Sequence, residues 1–132
     1  TPLLCDHSER KVIKEERLEK VIISAMKQSL KAYLPRLNPM IEFSCFVKNN
    51  QNSLKCIAHC DEGNKKSLQE IYTPGQNATI LIGPEGDFSG NEITLALANN
   101  FIPVTLGESR LRTETAGIVA CHSINFINEI NH

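Results

Sequence analysis

The chain has 132 residues and a formal net charge of −1, which fits one domain or one part of a larger protein. A composition of 41% hydrophobic and 22% charged residues excludes collagen-like, low-complexity and disordered chains. No run approaches the ~20 apolar residues of a membrane-spanning helix. Five cysteines without framework spacing favour reduced thiols in a cytoplasm, and 5% aromatic residues argue against a base-stacking surface built on several rings.

Basic residues are concentrated in the first 36 positions, where eight of them accompany five acidic residues. They are Arg10, Lys11, Lys14, Arg17, Lys20, Lys27, Lys31 and Arg36. The rest of the chain has six basic and ten acidic residues. The cluster is either a solvated helix face or an edge that contacts RNA phosphates in a salt-sensitive way.

Apolar positions three and four residues apart predict an amphipathic helix over 14–34, which Pro35 ends. Around it we expect a strand at 1–4, a strand or short helix at 41–47, a strand at 54–59, a charged turn at 61–66 and a short helical piece at 67–72.

The second half of the chain predicts alternating strands and helices. The apolar run 78–82 is expected to be a central strand buried on both faces. A helix at 91–99, a strand at 102–106 and a helix at 113–130 follow. The alternation indicates an α/β fold with a mainly parallel sheet flanked by helices.

Two loops follow predicted strands, where open α/β sheets bind ligands. The first reads Gly83-Pro84-Glu85-Gly86-Asp87-Phe88-Ser89. Gly83 and Gly86 are expected to adopt positive φ and to let the backbone approach a ligand, and Pro84 stiffens the turn. No Lys-Ser/Thr pair follows, so this is not a P-loop. Glu85 and Asp87 suit a neutral or cationic ligand better than a phosphate.

The second loop spans 106–116 and leads into the last predicted helix. Thr113 is expected to be the N-cap of that helix, where hydroxyl groups are favourable. Arg110 and Arg112 flank Leu111 just before the helix N-terminus, although the helix dipole disfavours cations there. Such a local conflict is typical of functional sites.

The segment Cys56–Cys60 suggests a metal site only weakly. Strand alternation would place Cys56 and Cys60 on one face and His59 on the other, and no second ligand pair with zinc spacing follows. A Cys–His nucleophilic pair has no local signature either. The other histidines are interpreted as surface or core residues: His7, His122 and His132.

The two loops together resemble a known family. ILIGPEGDFSGNE, followed later by LGESRLRTETAGIVA, is similar to the RsmE family of 16S ribosomal RNA methyltransferases in the SPOUT superfamily. The upstream segment TPLLCDHSERKVIKEERLEKVIISAMKQS matches the same family. Its Gln28-Ser29-Leu30-Lys31 departs from the Gln-Ser-Gly-Arg common in the family.

The resemblance implies a SPOUT-type fold with a C-terminal trefoil knot, a homodimer and a cytoplasmic enzyme. It implies methyl transfer from S-adenosylmethionine (SAM) to N3 of a uridine in small-subunit rRNA, with no metal. Residues 1–132 would form the methyltransferase domain. The family's PUA-like domain, and the first strand and helix of its catalytic domain, are expected to precede this sequence.

The resemblance also implies the site residues. The cofactor pocket would comprise Leu81, Gly83, Pro84, Glu85, Gly86, Leu106, Gly107, Leu111, Arg112, Thr115 and Ala116. For catalysis, Arg112 with Arg110 would stabilise negative charge developing on the uracil carbonyl oxygens. Glu85 or Glu114 would accept the N3 proton.

Two other functions remain open at this point. Ribose 2′-O-methyltransferases of the same superfamily usually carry Ser-Leu-Asn in the second loop, where this chain has Arg110-Leu111-Arg112-Thr113. A non-catalytic RNA-binding or dimerisation module is the other alternative. The helices at 14–34 and 113–130 offer more apolar surface than one small sheet can cover, which favours a homodimer with the C-terminal helix in the contact.

Overall fold

Strands and helices alternate along the chain as the apolar pattern predicts, except that β3 and β4 follow one another directly. A computed structural model describes residues 1–9, 11–30, 32–60, 63 and 65–131. In chain order the elements are β1 (Leu3–Leu4), α1 (Glu15–Gln28), β2 (Ile41–Glu42), α2 (Phe43–Asn49), β3 (Leu54–Ala58), β4 (Lys66–Ser67), α3 (Leu68–Ile71), β5 (Ala78–Ile82), α4 (Gly90–Ala98), β6 (Ile102–Thr105) and α5 (Thr113–Ile130). Predictions for Arg10, Lys31, His132 and half of the turn at 61–66 (residues 61, 62 and 64) lie outside the described residues.

The main sheet has four parallel strands in the order β4-β6-β3-β5. Strand β3 pairs on both sides, so that Ala58 lies opposite Ile82 of β5 and Val104 of β6. Strands β1 and β2 form a separate parallel pair. The predicted α/β fold with a mainly parallel sheet is confirmed.

Each face of the sheet is covered by its own apolar cluster. Ile57 and Leu81 project toward α2 and α4, where they pack with Phe43, Val47 and Ile93. The opposite face packs against α3 and α5 through a second cluster, which contains Cys56, Leu68, Tyr72, Val104, Ala120 and Ile127. Successive strand residues point to opposite faces, and both faces are buried here, so the strands read as nearly continuous apolar runs.

The prediction that 78–82 is a central strand is wrong, because β5 lies at one edge of the described sheet. Its apolar character has another cause. Leu81 is buried in the cluster on the α4 side, whereas Ile80 and Ile82 pack in the cluster on the α5 side. A strand covered by helices on both faces needs apolar residues at every position, wherever it lies in the sheet.

Helix α1 is shorter than predicted and none of its residues is buried. It ends at Gln28, and Leu30 adopts a left-handed backbone (φ 56) before Pro35 is reached. Val21 is 60% exposed, although it lies on the apolar stripe. The stripe therefore marks a face that the described part of this chain does not cover.

The remaining boundaries differ from the prediction by a few residues. The segment 41–47, which was expected to be a strand or a short helix, contains both, since the strand β2 leads directly into the helix α2. The short strand β4 was not predicted, because two residues are too few for a periodic signal. Helix α5 spans 113–130, as predicted. No helix in the described ranges is long and apolar enough to cross a membrane.

We predict that Ile57→Ala lowers the free energy of unfolding by about 2–5 kcal/mol, because the side chain is fully buried between the sheet and its helices. Ile102→Ala is the matched control on the neighbouring strand, where the side chain is 38% exposed, and about 1 kcal/mol or less is expected. Urea titration followed by circular dichroism measures both. Equal losses would show that the centre of the sheet is packed no more tightly than its margin.

Candidate functional site

A cavity of about 580 Å³ opens beyond the carboxyl ends of β3, β5 and β6. The parallel register brings these three ends to one edge, so that the segments after the strands form the walls. The size is within the range of small-molecule and cofactor sites. The edge is the one where open α/β sheets bind ligands, as predicted from the sequence.

The first loop, 83–89, forms one wall, and its backbone differs from the prediction. Neither Gly83 nor Gly86 has a positive φ; Asp87 has one instead, at 62°. The Asp87 N–H donates to the Pro84 carbonyl oxygen at 2.8 Å and closes a four-residue turn. Aspartate tolerates the left-handed region better than most side chains, which is why this turn needs no glycine there.

The two glycines allow the loop to pack closely on its own chain. A Cβ atom at Gly83 would lie 3.1 Å from Asp87 Oδ1 and 3.2 Å from the Phe88 ring. A Cβ atom at Gly86 would lie 3.0 Å from the His7 Cβ. The described structure therefore gives both glycines a role in close packing, independent of any ligand.

The N-terminal segment is bound to the first loop by hydrogen bonds. The His7 Nδ1–H donates to the Gly86 carbonyl oxygen at 2.9 Å and to the Asp87 carbonyl oxygen at 3.1 Å. Carbonyls only accept, so Nδ1 carries the proton. Sequence reasoning interpreted His7 as a surface or core residue and missed this contact, since its partners lie about 80 positions away.

The same segment completes the start of α4. The Ser89 hydroxyl donates to Asp6 Oδ2 at 2.5 Å, and the Glu92 N–H donates to the Ser89 oxygen at 3.2 Å. The buried Glu92 carboxylate accepts from the N–H groups of Ser89 at 2.9 Å and Asp6 at 3.1 Å. These bonds form a capping box and satisfy the buried carboxylate.

The second loop meets the first at the start of α5. The predicted N-cap is wrong by one residue, because Arg112 has the N-cap position and makes no side-chain cap. Thr113 is the first helical residue, and its hydroxyl donates to the Gly83 carbonyl oxygen at 2.8 Å. The hydroxyl thus joins the two loops and does not cap the helix. Gly107 has φ 131, a conformation that favours glycine.

Most of the predicted site residues lie on the cavity wall. They are Gly83, Pro84, Glu85, Leu106, Gly107, Arg110, Leu111, Arg112 and Ala116. Four others do not line it. Leu81 is buried in the core, Gly86 packs against His7, and Glu114 and Thr115 are exposed in the first turn of α5.

Sequence reasoning missed the wall that follows β3. His59, Cys60 and Lys65 line the cavity there, and the Lys65 ammonium donates to the His59 carbonyl oxygen at 2.5 Å. The position of these residues in the sequence could have identified them, because a segment that follows a strand parallel to β5 and β6 lies at the same edge of the sheet. Among the described residues, no group of three potential metal ligands lies close enough to hold an ion.

The arginines and glutamates of the wall are exposed, whereas Asp87 and Lys65 are half-buried. Arg110 and Arg112 form no hydrogen bond or ion pair with another described side chain, so both guanidinium groups are available to a ligand. The carboxylates of Glu85 and Glu108 lie on the same wall. Exposure also resolves the conflict noted in the sequence, because water screens Arg112 from the positive end of the α5 dipole.

The chain has an α/β fold with a cavity at the carboxyl edge of a parallel sheet. A family model described as an RNA methyltransferase domain matches residues 1–125. The chain belongs to this family. The resemblance to the RsmE family predicted from the sequence is confirmed by curated relatives that carry that name.

Among those relatives, ribosomal RNA small subunit methyltransferase E of Rickettsia conorii is 32% identical over 129 residues, which cover 96% of this chain and 52% of the relative. A solved structure from Porphyromonas gingivalis, described as a probable rRNA-methyltransferase, is 46% identical with a TM-score of 0.92 and covers 98% of this chain and 56% of that one. Lpg2936 of Legionella pneumophila, solved with bound SAM, is 32% identical with a TM-score of 0.86 and covers 94% and 53%. The chain thus spans about half the length of the relatives it matches.

We predict that the five thiols react with iodoacetamide in two groups at pH 8. Cys45, Cys60 and Cys121 are exposed. Burial, with the nearby Glu92 carboxylate, raises the pKa of Cys5 to about 12, and burial raises that of Cys56 to about 11. At pH 8 only about one in 10⁴ and one in 10³ of these thiols is ionised, and only the thiolate is nucleophilic.

Mass spectrometry of tryptic peptides should therefore find the three exposed cysteines modified first, and all five modified in 6 M guanidinium chloride. Modification of Cys5 or Cys56 as fast as Cys45 in the folded protein would contradict the packing described above.

Proposed function

We propose that the chain is the catalytic domain of a SAM-dependent methyltransferase that modifies N3 of a uridine in small-subunit ribosomal RNA. The observation that carries the proposal is the cavity at the carboxyl edge of the sheet. Two of its walls are the loops that carry the family resemblance, and the Thr113 hydroxyl joins them. Because the substrate would be ribosomal RNA, we place the protein in the cytoplasm.

The residues present in the cavity fit SAM. Apolar side chains at the base of the walls, among them Ile82, Val104 and Leu106, suit an adenine ring and an aliphatic chain. Glu85 supplies negative charge that favours a sulfonium cation. The start of α5 at Thr113 supplies helix N–H groups that favour a carboxylate. When bound, SAM supplies an electrophilic methyl group.

We assign to Arg110 and Arg112 the stabilisation of negative charge on the uracil base. N3 of uridine is protonated at neutral pH, and its deprotonation spreads negative charge over the carbonyl oxygens. Arg112, with Arg110 beside it on the wall, would stabilise this charge. A guanidinium remains protonated throughout the usable pH range and therefore provides this stabilisation without a proton transfer of its own.

Glu85 is the better candidate of the two proposed proton acceptors. It lines the cavity, whereas Glu114 does not. A general base must come within hydrogen-bond distance of the proton it removes. We therefore assign N3 deprotonation to Glu85, and we assign to Glu114 a favourable interaction with the α5 dipole from the first helical turn.

The knot that the resemblance implies is part of the proposal. Strand β6 comes last in the chain but lies between β4 and β3 in the sheet. After β6 the chain returns to the first loop, where Thr113 contacts Gly83. The insertion of a late strand between two earlier ones, followed by this return, supports the proposed knot.

We also propose a homodimer that uses the outer face of α5. Ile118, Phe126 and Ile130 are 70%, 51% and 56% exposed, and together with His122 they form a stripe at four-residue spacing. The opposite face of the helix, with Ala120 and Ile127, packs on the sheet. An apolar stripe of this size on the surface is typical of an interface.

We predict that the chain binds SAM and methylates small-subunit rRNA at N3 of uridine. Arg112→Ala should lower kcat about 10²–10³-fold, because one charge-stabilising group is lost. Lys48→Ala, an exposed change on α2 away from the cavity, is the control. Calorimetry measures SAM binding, and nucleoside mass spectrometry locates the methyl group.

These measurements distinguish the proposed function from the two alternative functions. A methyl group on a ribose 2′-oxygen would indicate the other branch of the superfamily, and no SAM binding would indicate a non-catalytic module. If Arg112→Ala retains the turnover and pH dependence of the unmodified chain, the arginine has no role in charge stabilisation.

We predict a mass of about twice 14.7 kDa in multi-angle light scattering. Ile118→Glu places a charge in the exposed α5 stripe and should shift the mass toward that of one chain. Val12→Glu, at a residue that is 80% exposed outside the helices, is the control and should leave the mass unchanged. A monomer of the unmodified chain at high protein concentration would disprove the dimer.

A further inference from the structure

The left-handed conformation of Asp87 is unusual among the described residues. Only Leu30 and Asn100 share it among the described non-glycine residues, with φ 56 and 68 against 62 for Asp87. Both of those are exposed and do not line the cavity, whereas Asp87 is half-buried in its wall. A non-glycine residue retains this conformation where the surrounding contacts stabilise it.

The side chain of Asp87 joins two walls of the cavity. Its Oδ2 atom accepts a hydrogen bond from the Cys60 N–H at 2.9 Å, which connects the first loop to the segment after β3. The other oxygen lies over Gly83, close enough that a Cβ there would be 3.1 Å away. A glycine at 83 therefore makes room for the carboxylate.

The main chain of Asp87 makes two further contacts. Its N–H donates to Pro84, and its carbonyl accepts from the His7 Nδ1–H at 3.1 Å. One residue thus holds the turn of the first loop, the end of β3 and the N-terminal segment together. Pro84 and Glu85, which line the cavity, lie inside this turn.

We propose that Asp87 is a positioning residue that holds the first loop in its cofactor-binding shape by accepting the Cys60 N–H. The proposal rests on the assignment of the cavity to SAM. The left-handed backbone directs the carboxylate to the β3 side, and the hydrogen bond preorganises the wall before the ligand arrives. What matters in this role is the acceptor oxygen, since an uncharged acceptor of the same shape can make the same bond.

Two substitutions of Asp87 test its hydrogen-bond acceptor separately from its negative charge. Asp87→Asn keeps a carbonyl oxygen and tolerates the left-handed region, but it removes the negative charge. Asp87→Gly keeps the backbone conformation and removes the acceptor. Asn100→Gly is the matched control, because it makes the same kind of change at a left-handed residue outside the cavity. Calorimetry with SAM and with S-adenosylhomocysteine, which lacks the sulfonium charge, reports on the binding site.

Asp87→Gly should weaken binding of both ligands about tenfold, whereas Asp87→Asn and Asn100→Gly should stay within about threefold of the unmodified chain. Two results would overturn the proposal. Equal affinity in Asp87→Gly would show that the loop needs no such bond. Loss of SAM but not S-adenosylhomocysteine binding in Asp87→Asn would show that the carboxylate acts directly on the sulfonium.

A measurement without ligand tests the positioning independently of the cofactor. In amide hydrogen exchange, Asp87→Gly should speed exchange at Cys60 and in residues 85–88, while Asp87→Asn should preserve the slow exchange. If the unmodified chain binds neither ligand but exchange follows this pattern, the proposed cofactor is wrong and the positioning role stands. Unchanged exchange at Cys60 in Asp87→Gly would remove the positioning role, whatever the ligand.

Discussion

Parallel pairing of β3 with both β5 and β6 is the constraint on which the rest of the structure depends. Ala58 lies opposite Ile82 and Val104, so the chain leaves all three strands at one level. A slip of one residue would exchange the two faces of β3 and move Ile57 out of its apolar cluster. The hydrophobic cores therefore fix the register, and the register places the cavity.

The loops at this edge are shaped by contacts between distant parts of the chain. Thr113 reaches Gly83, and His7 reaches Gly86. Each bond ties a segment to the first loop from a different direction, one from α5 and the other from the N-terminus. A wall held in this way loses little conformational freedom when a ligand binds, because most of the ordering has already occurred on folding.

The sequence predicts features that depend on local chemistry. Helix α5 spans 113–130 as expected, because its apolar spacing is a signal that acts over one or two turns. The apolar runs likewise predict three of the four strands of the main sheet, β3, β5 and β6. Strand order is not encoded locally, and this explains why β5 was expected at the centre and lies at an edge.

The same distinction applies to the site. The two loops could be found because glycine and proline mark turns and because parallel strands end together. The role of the Thr113 hydroxyl could not be found, since a helix cap and a partner 30 residues away are equally compatible with that residue type. The left-handed backbone of Asp87 was not predicted, because glycine is the usual choice at positive φ, although aspartate also tolerates it.

The exposure of helix α1 limits how tightly another surface can bind it. A helix of 14 residues with none of them buried is at the length where isolated helices are only marginally stable in water. Its helical content is therefore coupled to whatever covers its apolar stripe. Part of the free energy of such a contact is consumed in ordering the helix, so an association through α1 is weaker and more readily reversed than its apolar area suggests.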